Sequence, residues 1–324
     1  MDKILFQVGN GGLGKTIVAT AVAKAIKEQY PKARMIVQAN YSEVFKGLPL
    51  ADRFYPQSPA PYFRDIVQDY DVLTTEPYID LAFRQGKEHL IDVWCRRLGI
   101  KPPVEKRGLI VLDEHEKQAA DNMIRPIGLD RPVIAFQPFG GIPSSEPGRA
   151  NDPFGQFQAR HLSVVQAQSI VDEIVKQGAA VLQISLPTEP KLKNVLNLGD
   201  QTLPARIIFA VLDRCSGVVA IDSFVNHAWA ALGKKGGVFL WGYSSPMQYG
   251  YAGNSQMTVK LEKCDTPHCN RPETFLSDID GCGRHWECPH GRECMGFDPK
   301  TVADAAIRAV VPATPAEPRK AQVA

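Results

Sequence analysis

Residues 9–16, GNGGLGKT, place four glycines, a lysine and a threonine at the spacing of a phosphate-binding loop. KILFQV before them reads as a short buried strand, and IVATAVAKAIKEQ after them as a helix. In phosphate-loop chemistry the amides around Gly11 and Gly12 would cradle phosphates, Lys15 would reach the terminal ones, and Thr16 would hold magnesium. That chemistry also needs an acid closing a later apolar strand, and Asp113 in GLIVLDEHEK is the candidate. The same residues also read as a glycine-rich turn opening a Rossmann-like domain, where glycine serves positive φ and close backbone approach. This second reading is the favoured one.

A different constellation lies in the second half. IDSFVNHAWAALGK delivers Asp222 and Ser223 to a strand end and puts His227 one turn into the next helix. The first N–H groups of that helix, at Phe224 and Val225, lack intrahelical partners and suit a diphosphate. Gly140 and Gly141 in FQPFGG follow another strand and allow the backbone to approach phosphate. Asp222 and Ser223 also read as an ordinary N-cap, and His227 as a satisfied half-buried histidine.

These groups need parallel sheets to position them. Strand-like runs at 3–8, 34–38, 71–74 and 109–112 alternate with helical patterns at 17–29, 86–98 and 115–123. The alternation restarts at RPVIAF and continues through VVQAQSIVDEIVKQ, AAVLQIS, LPARIIFAVLDRC, GVVAID, SFVNHAWAALGK and GGVFLWG. The expected architecture is α/β: two Rossmann-like domains with a ligand cleft between them, the chain turning near Leu129. Domain limits of 1–128 and 129–300 follow, with a terminal helix near 302–310 and a disordered Ala/Pro-rich tail within 301–324. The terminal helix is expected to pack back across the hinge.

With 324 residues, 44% of them hydrophobic, the chain has material for two cores. A net charge of +2 creates no strong field for nucleic acid or membrane. No run of about 18 apolar residues would span a bilayer, and the start lacks a secretory signal pattern, so a cytoplasmic protein without a transmembrane segment is expected.

The chain resembles the heptosyltransferase-type glycosyltransferases, glycosyltransferase family nine. The residues that carry the resemblance are ILFQVGNGGLGKTIVATAVAKAIKEQYPKARM, ADRFYP, QPFGG, ARHLSVVQAQSIVDEI and IDSFVNHAWAALGK with its sequel LWGYSSPMQYGY, reaching to about Met295. The resemblance implies a GT-B-like fold and transfer of a heptose or related sugar from a nucleotide diphosphate donor of the ADP-heptose kind. It implies a donor site in the second domain, with Gly140 and Gly141 near the donor, Arg160 in the family's basic position, and Asp222, Ser223 and His227 near the diphosphate. Ser245 and Gly250 would lie on a loop within reach of the cleft. For the acceptor hydroxyl the resemblance implies lipopolysaccharide core by default, with a protein, another glycan or a modified nucleobase of a nucleic acid left open.

One departure stands out. The family carries an aspartate in the first glycine-rich turn, proposed as the base toward the acceptor hydroxyl, where this chain has Lys15. A protonated lysine cannot take that proton, and contact with a donor phosphate or an anionic acceptor group suits it better. The base must come from elsewhere. Glu76, Asp80 and His89 in TTEPYIDLAFRQGKEH form the nearest polar cluster, and Glu76 is the choice. Its plain alternative is a helix-start carboxylate beside Pro77.

Five cysteines, Cys264, Cys269, Cys282, Cys288 and Cys294, fall within 31 residues, a density that suggests a metal in a cytoplasmic chain. CPHGRECM resembles a terminal cysteine segment found in part of the family, some members of which bind iron, so Cys264, Cys269, Cys288 and Cys294 make the expected tetrad. Four thiolates would make a structural zinc or iron site; Cys282, His268, His285 and His290 are substitute ligands, and buried thiols are the plain alternative. Three function classes follow: a sugar transferase, a phosphate-loop NTPase using residues 9–16, and a non-catalytic nucleotide-sugar-binding homologue.

Overall fold

The computed structural model describes residues 1–58, 62–127, 130–140, 160–199, 203–264, 268–269, 290 and 293–310. The first half runs β1 (Lys3–Gly9), α1 (Leu13–Gln29), β2 (Arg34–Ala39), β3 (Arg53–Pro56), α2 (Phe63–Val67), β4 (Asp71–Thr74), α3 (Leu81–Arg84), α4 (Leu90–Arg97) and α5 (Glu114–Ile124). The second runs β5 (Val133–Gln137), α6 (Val164–Lys176), β6 (Ala180–Gln183), β7 (Leu196–Asn197), α7 (Ala205–Arg214), β8 (Gly217–Ile221), α8 (Phe224–Ala231), β9 (Val238–Trp241), α9 (Pro246–Tyr249), β10 (Ser255–Thr258) and α10 (Pro299–Val310).

The strands form two sheets, ordered β3-β2-β1-β4 and β10-β9-β8-β5-β6-β7, and every described ladder is parallel. In the second sheet the chain builds outward from β5 through β6 and β7, then returns to add β8, β9 and β10 on the other side. Such a reversal opens a crevice at the carboxyl ends of the two strands that flank it, here β5 and β8.

Helix α1 holds the halves together. Every residue from Thr16 to Ala23 is buried, on all faces, because the Ala-rich run ATAVAKA is thin enough to sit between its own sheet, α4 and α8. One apolar cluster accordingly includes Phe6, Ile17 and Trp94 from the first half and Val225, Trp229 and Trp241 from the second. Charged groups reinforce this contact. Arg206 on α7 pairs with Glu116 on α5 at 2.6 Å and donates to the carbonyls of Glu43 and Val111, and both side chains are buried.

Several elements differ from expectation. Residues 109–112 are a strap rather than a strand: Leu109 N–H donates to Thr20 Oγ1 at 2.7 Å and Ile110 N–H to the Ala231 carbonyl at 3.2 Å, clipping α1 to α8. An apolar run reads alike for a strand and for a strap that buries Ile110, and the hydrogen bonds of this one go to α1 and α8. The helix expected over 86–98 is present but starts later, at Leu90, since Gly86 at φ +68° follows the end of a separate helix α3 and His89 caps α4 by accepting Ile91 N–H. Strands β3 and β10, short and partly exposed, were not anticipated. Helix α10 packs on α6, where Gln177 reaches Asp304, and its buried Val302, Ala303 and Ala306 join the core of the second sheet. The turn at Leu129 and the tail beyond 310 lie outside the described residues.

Candidate functional site at the junction of the two sheets

The glycine-rich turn leads straight into α1, whose N-cap Gly12 offers no side chain, so the first amides of the helix depend on an external acceptor. Lys15 follows one turn in, and its side chain is 2% exposed. Its Nζ donates to Glu76 Oε2 at 2.7 Å and to the Asn10 carbonyl at 2.8 Å, and lies 5.5 Å from the Tyr78 ring centroid and 5.6 Å from that of Trp94. Glu76 is a helix-start carboxylate as well, since Oε1 accepts Tyr78 N–H ahead of Pro77. Its side chain stays 42% exposed, so the carboxylate joins a buried cation to the open side of the turn.

This arrangement sets aside the phosphate-loop reading. Lys15 is committed to Glu76, and Thr16 is 1% exposed within the helix packing. Asp113 closes no strand: it caps α5 through a reciprocal box with Glu116, and the Lys46 ammonium beside it holds its carboxyl down at about 2. The magnesium partners of an NTPase are therefore absent from that turn among the described residues.

At the end of β8, Asp222 and Ser223 are both buried. Ser223 is the N-cap of α8: its Oγ accepts Val225 N–H and also bonds Gln137 at the end of β5. The hydroxyl thus ties together the two strands that flank the crevice. Arg160 reaches the same place, donating to the Asp222 carbonyl at 3.2 Å. Phe224 is the first residue of α8, half-buried. Gly140 comes beside Ser223, and both its N–H and its carbonyl lie against His161 Nε2. Gly141 lies outside the described residues.

His227 joins the halves. A Cβ added to Gly14 would fall 2.9 Å from His227 Cδ2 and 3.5 Å from the Phe224 Cα, so the first turns of α1 and α8 touch at a position only glycine fits. Two helix N-termini, one from each sheet, converge there, and both present partial positive charge. His227 Nδ1 lies 2.7 Å from the Tyr251 hydroxyl, and the His89 ring meets Tyr251 edge-on at 5.5 Å. Burial pushes His227 down to about 3 and His89 down to about 4, so both imidazoles are neutral at working pH.

Ser245 acts as a cap rather than as a free hydroxyl. It starts α9 in a capping box with Gln248, whose amide crosses to the Phe83 carbonyl at 2.7 Å. On either side of Gly250, where a Cβ would strike the Pro246 carbonyl, Tyr249 at the end of α9 and Tyr251 after it reach the junction. Tyr251 is a functional candidate that no sequence motif marks, and Glu189 is a half-buried carboxyl away from these contacts. Glu189, after β6, bonds Leu186 N–H, and burial raises its carboxyl to about 7. A phenol or a carboxylate in a loop carries no sequence signal of burial.

Of the expected cysteine tetrad, Cys264, Cys269 and Cys294 are described and partly exposed, and Cys288 lies outside the described residues, as do Cys282 and His285. Among the described residues no group of three or more His, Cys, Asp or Glu is arranged to hold a metal ion. No helix among them is long and apolar enough to cross a membrane.

No family model matches this sequence, and no curated protein matches it. Solved structures do. A glycosyl transferase of family 9 from Veillonella parvula superposes with a TM-score of 0.66 at 16% identity, over 95% of this chain and 97% of that one. The E. coli ADP-heptose lps heptosyltransferase II matches at 0.55 and 15% identity, over 85% and 97%. The iron-containing dodecameric glycosyltransferase TibC of enterotoxigenic E. coli matches at 0.62 and 13% identity, over 95% and 75%, and is also known in complex with ADP-D-β-D-heptose. With two parallel sheets meeting at a cleft, the chain has the α/β GT-B fold of the family-nine glycosyltransferases.

Proposed function

We propose that this chain is a glycosyltransferase that moves a sugar, a heptose or a close relative, from a nucleotide diphosphate donor to a hydroxyl acceptor. The observation that carries the reading is the meeting of the α1 and α8 N-termini at Gly14 and His227, beside the crevice between β5 and β8. Two positive helix ends with an arginine nearby suit a diphosphate and need no metal. An ADP-linked heptose is the donor favoured, since TibC carries it and the E. coli enzyme is named for it.

In the mechanism that follows, the diphosphate bridges the start of α8, at Ser223, Phe224 and His227, and the start of α1, at Gly11 and Gly12. Asp222 and Arg160 fix the shape of the β8 end, and Gly140 lines its wall. The acceptor oxygen forms a bond to the anomeric carbon as the bond from that carbon to the phosphate oxygen breaks. Glu76 takes the acceptor proton, and the departing nucleoside diphosphate keeps its electron pair, steadied by the helix ends. Lys15 contributes by holding Glu76, the ion pair at 2.7 Å standing where the resemblance implies an aspartate. A catalytic carboxylate delivered from a neighbouring segment favours an enzyme over a silent homologue. A glycan, a protein or a hydroxyl-bearing modified nucleobase can supply the hydroxyl, and use of a nucleotide sugar fits the cytoplasm.

We also propose a structural zinc or iron bound by Cys264, Cys269, Cys288 and Cys294. Support comes from two contacts at the end of β9. His268 Nδ1–H donates to the carbonyls of Gly242 and Ser244, which leaves Nε2 as a substitute donor, and Cys294 Sγ lies beside Gly242. Elemental analysis of tag-free protein should give about one metal per chain, lost with Cys294→Ser.

The transferase reading is tested by incubating the chain with ADP-heptose and measuring ADP release with and without an acceptor extract. Release that depends on the extract and falls with Ser223→Ala supports it. No release and no ADP binding would reject it.

A further inference from the structure

The buried junction contains a phenol whose role is unassigned. Tyr251 is 6% exposed, and among the described residues His227 Nδ1, at 2.7 Å, is the polar group its hydroxyl meets. A phenol O–H is a donor that costs free energy to leave unpaired in a buried place. If Nδ1 carried the proton and donated to the phenol oxygen, the phenol proton would have no acceptor. The arrangement that satisfies both groups has Tyr251 donating to Nδ1, which puts the single imidazole proton on Nε2.

Nε2 lies 3.5 Å from the point where a Gly14 Cβ would stand, over the first turn of α1 and beside the start of α8. We propose that Tyr251 is a positioning residue: its hydroxyl fixes His227 as the Nε2–H tautomer and aims that N–H at the phosphate site between the two helix ends. The inference rests on the nucleotide-sugar reading above. The groups facing the pair are His89 at the N-cap of α4, Tyr249 at the end of α9 and, at longer range, the Tyr78 phenol and the Asp222 carboxylate. None of them offers Nδ1 a better donor. Because burial keeps His227 neutral, the position of one proton decides whether the ring gives the phosphate a donor or a lone pair. A lone pair there would repel an anion.

The test uses the full chain and ADP as the probe. Histidine 15N spectra of the wild type should show His227 with a protonated Nε2 and an accepting Nδ1, and Tyr251→Phe should turn this into a mixture of tautomers. ADP affinity by calorimetry should fall about twofold in Tyr251→Phe, as expected when about half of the imidazoles hold the wrong tautomer. His227→Ala should fall as far or further. A protonated Nδ1 in the wild type overturns the proposal, as does unchanged ADP affinity in Tyr251→Phe when His227→Ala weakens it. If the wild type fails to bind ADP, the parent reading falls together with the phosphate half of this proposal, whereas the tautomer half is decided by the spectrum alone.

Discussion

Lys15 donates to Glu76 at 2.7 Å from a side chain that is 2% exposed to one that is 42% exposed. The pair therefore works in one direction. The buried partner cannot leave, and the exposed carboxylate can turn from the ammonium toward a substrate without breaking the packing.

Glu76→Gln should accordingly lower kcat by about 100-fold to 10,000-fold, the range for removing a general base, with little change in donor affinity. It should also cost about 1–2 kcal/mol of stability, less than a fully buried pair because Glu76 is open to solvent. Steady-state kinetics and urea unfolding separate the two effects. Equal kcat in the variant would remove Glu76 from the chemistry.

The junction glycine gives a second expectation. Gly14→Ala adds one methyl group against His227 and the Phe224 backbone, a small-to-large change of about 1–3 kcal/mol that splays α1 from α8. The Tm should fall, and ADP should protect the variant less than the wild type.

The sequence made this glycine legible as a close approach and left the partner hidden. GNGGLGKT fits a phosphate loop because both kinds of site need glycines between a strand and a helix. What separates them is tertiary: Lys15 turns inward to Glu76, 61 residues away, and Asp113 caps a helix. The parallel strands with strong apolar runs, β1, β2, β5 and β8, were readable from local pattern, as were α1, α7 and α8. The strap at 109–112 was not, since its hydrogen bonds go to Thr20 and Ala231 and only the folded chain supplies them. Ser223 was recognisable as a helix start, whereas its bond to Gln137 was not.

The neutral histidines make stability depend on pH. His89 and His227 have values lowered from 6.5 to about 4 and about 3, so the unfolded chain binds more protons than the folded one below pH 6.5. Their contribution is fully present above pH 6.5 and is lost as the pH falls toward 4, at about 1.4 kcal/mol per pH unit for each group. Glu189 opposes them: its value is raised from 4.5 to about 7, and its contribution is lost as pH rises through that interval. Urea midpoints between pH 6.5 and 5 should therefore drop with acid, and more steeply in Glu189→Gln. Glu116 and Asp113, both held near 2, do not titrate in this window. A flat profile in Glu189→Gln would contradict the burial of the two rings.

The contact between α5 and α7 should behave as a clamp. Arg206→Ala leaves the buried Glu116 with the half-exposed Lys46 ammonium at 3.1 Å as its remaining ionic partner and should cost about 1–3 kcal/mol, less than breaking a buried pair outright. Replacing both residues by methionine should cost less than Arg206→Ala alone. Equal losses would mean that the pair acts through packing only.

The central claim is that a nucleotide diphosphate sugar sits where α1 and α8 meet. Hydrogen exchange of the full chain with and without ADP-heptose tests it most directly. The account predicts protection at 223–227 and at 11–15 together, abolished by His227→Ala. Protection at 11–15 by ATP with none at 223–227, or no protection at either place by any nucleotide sugar, would contradict it.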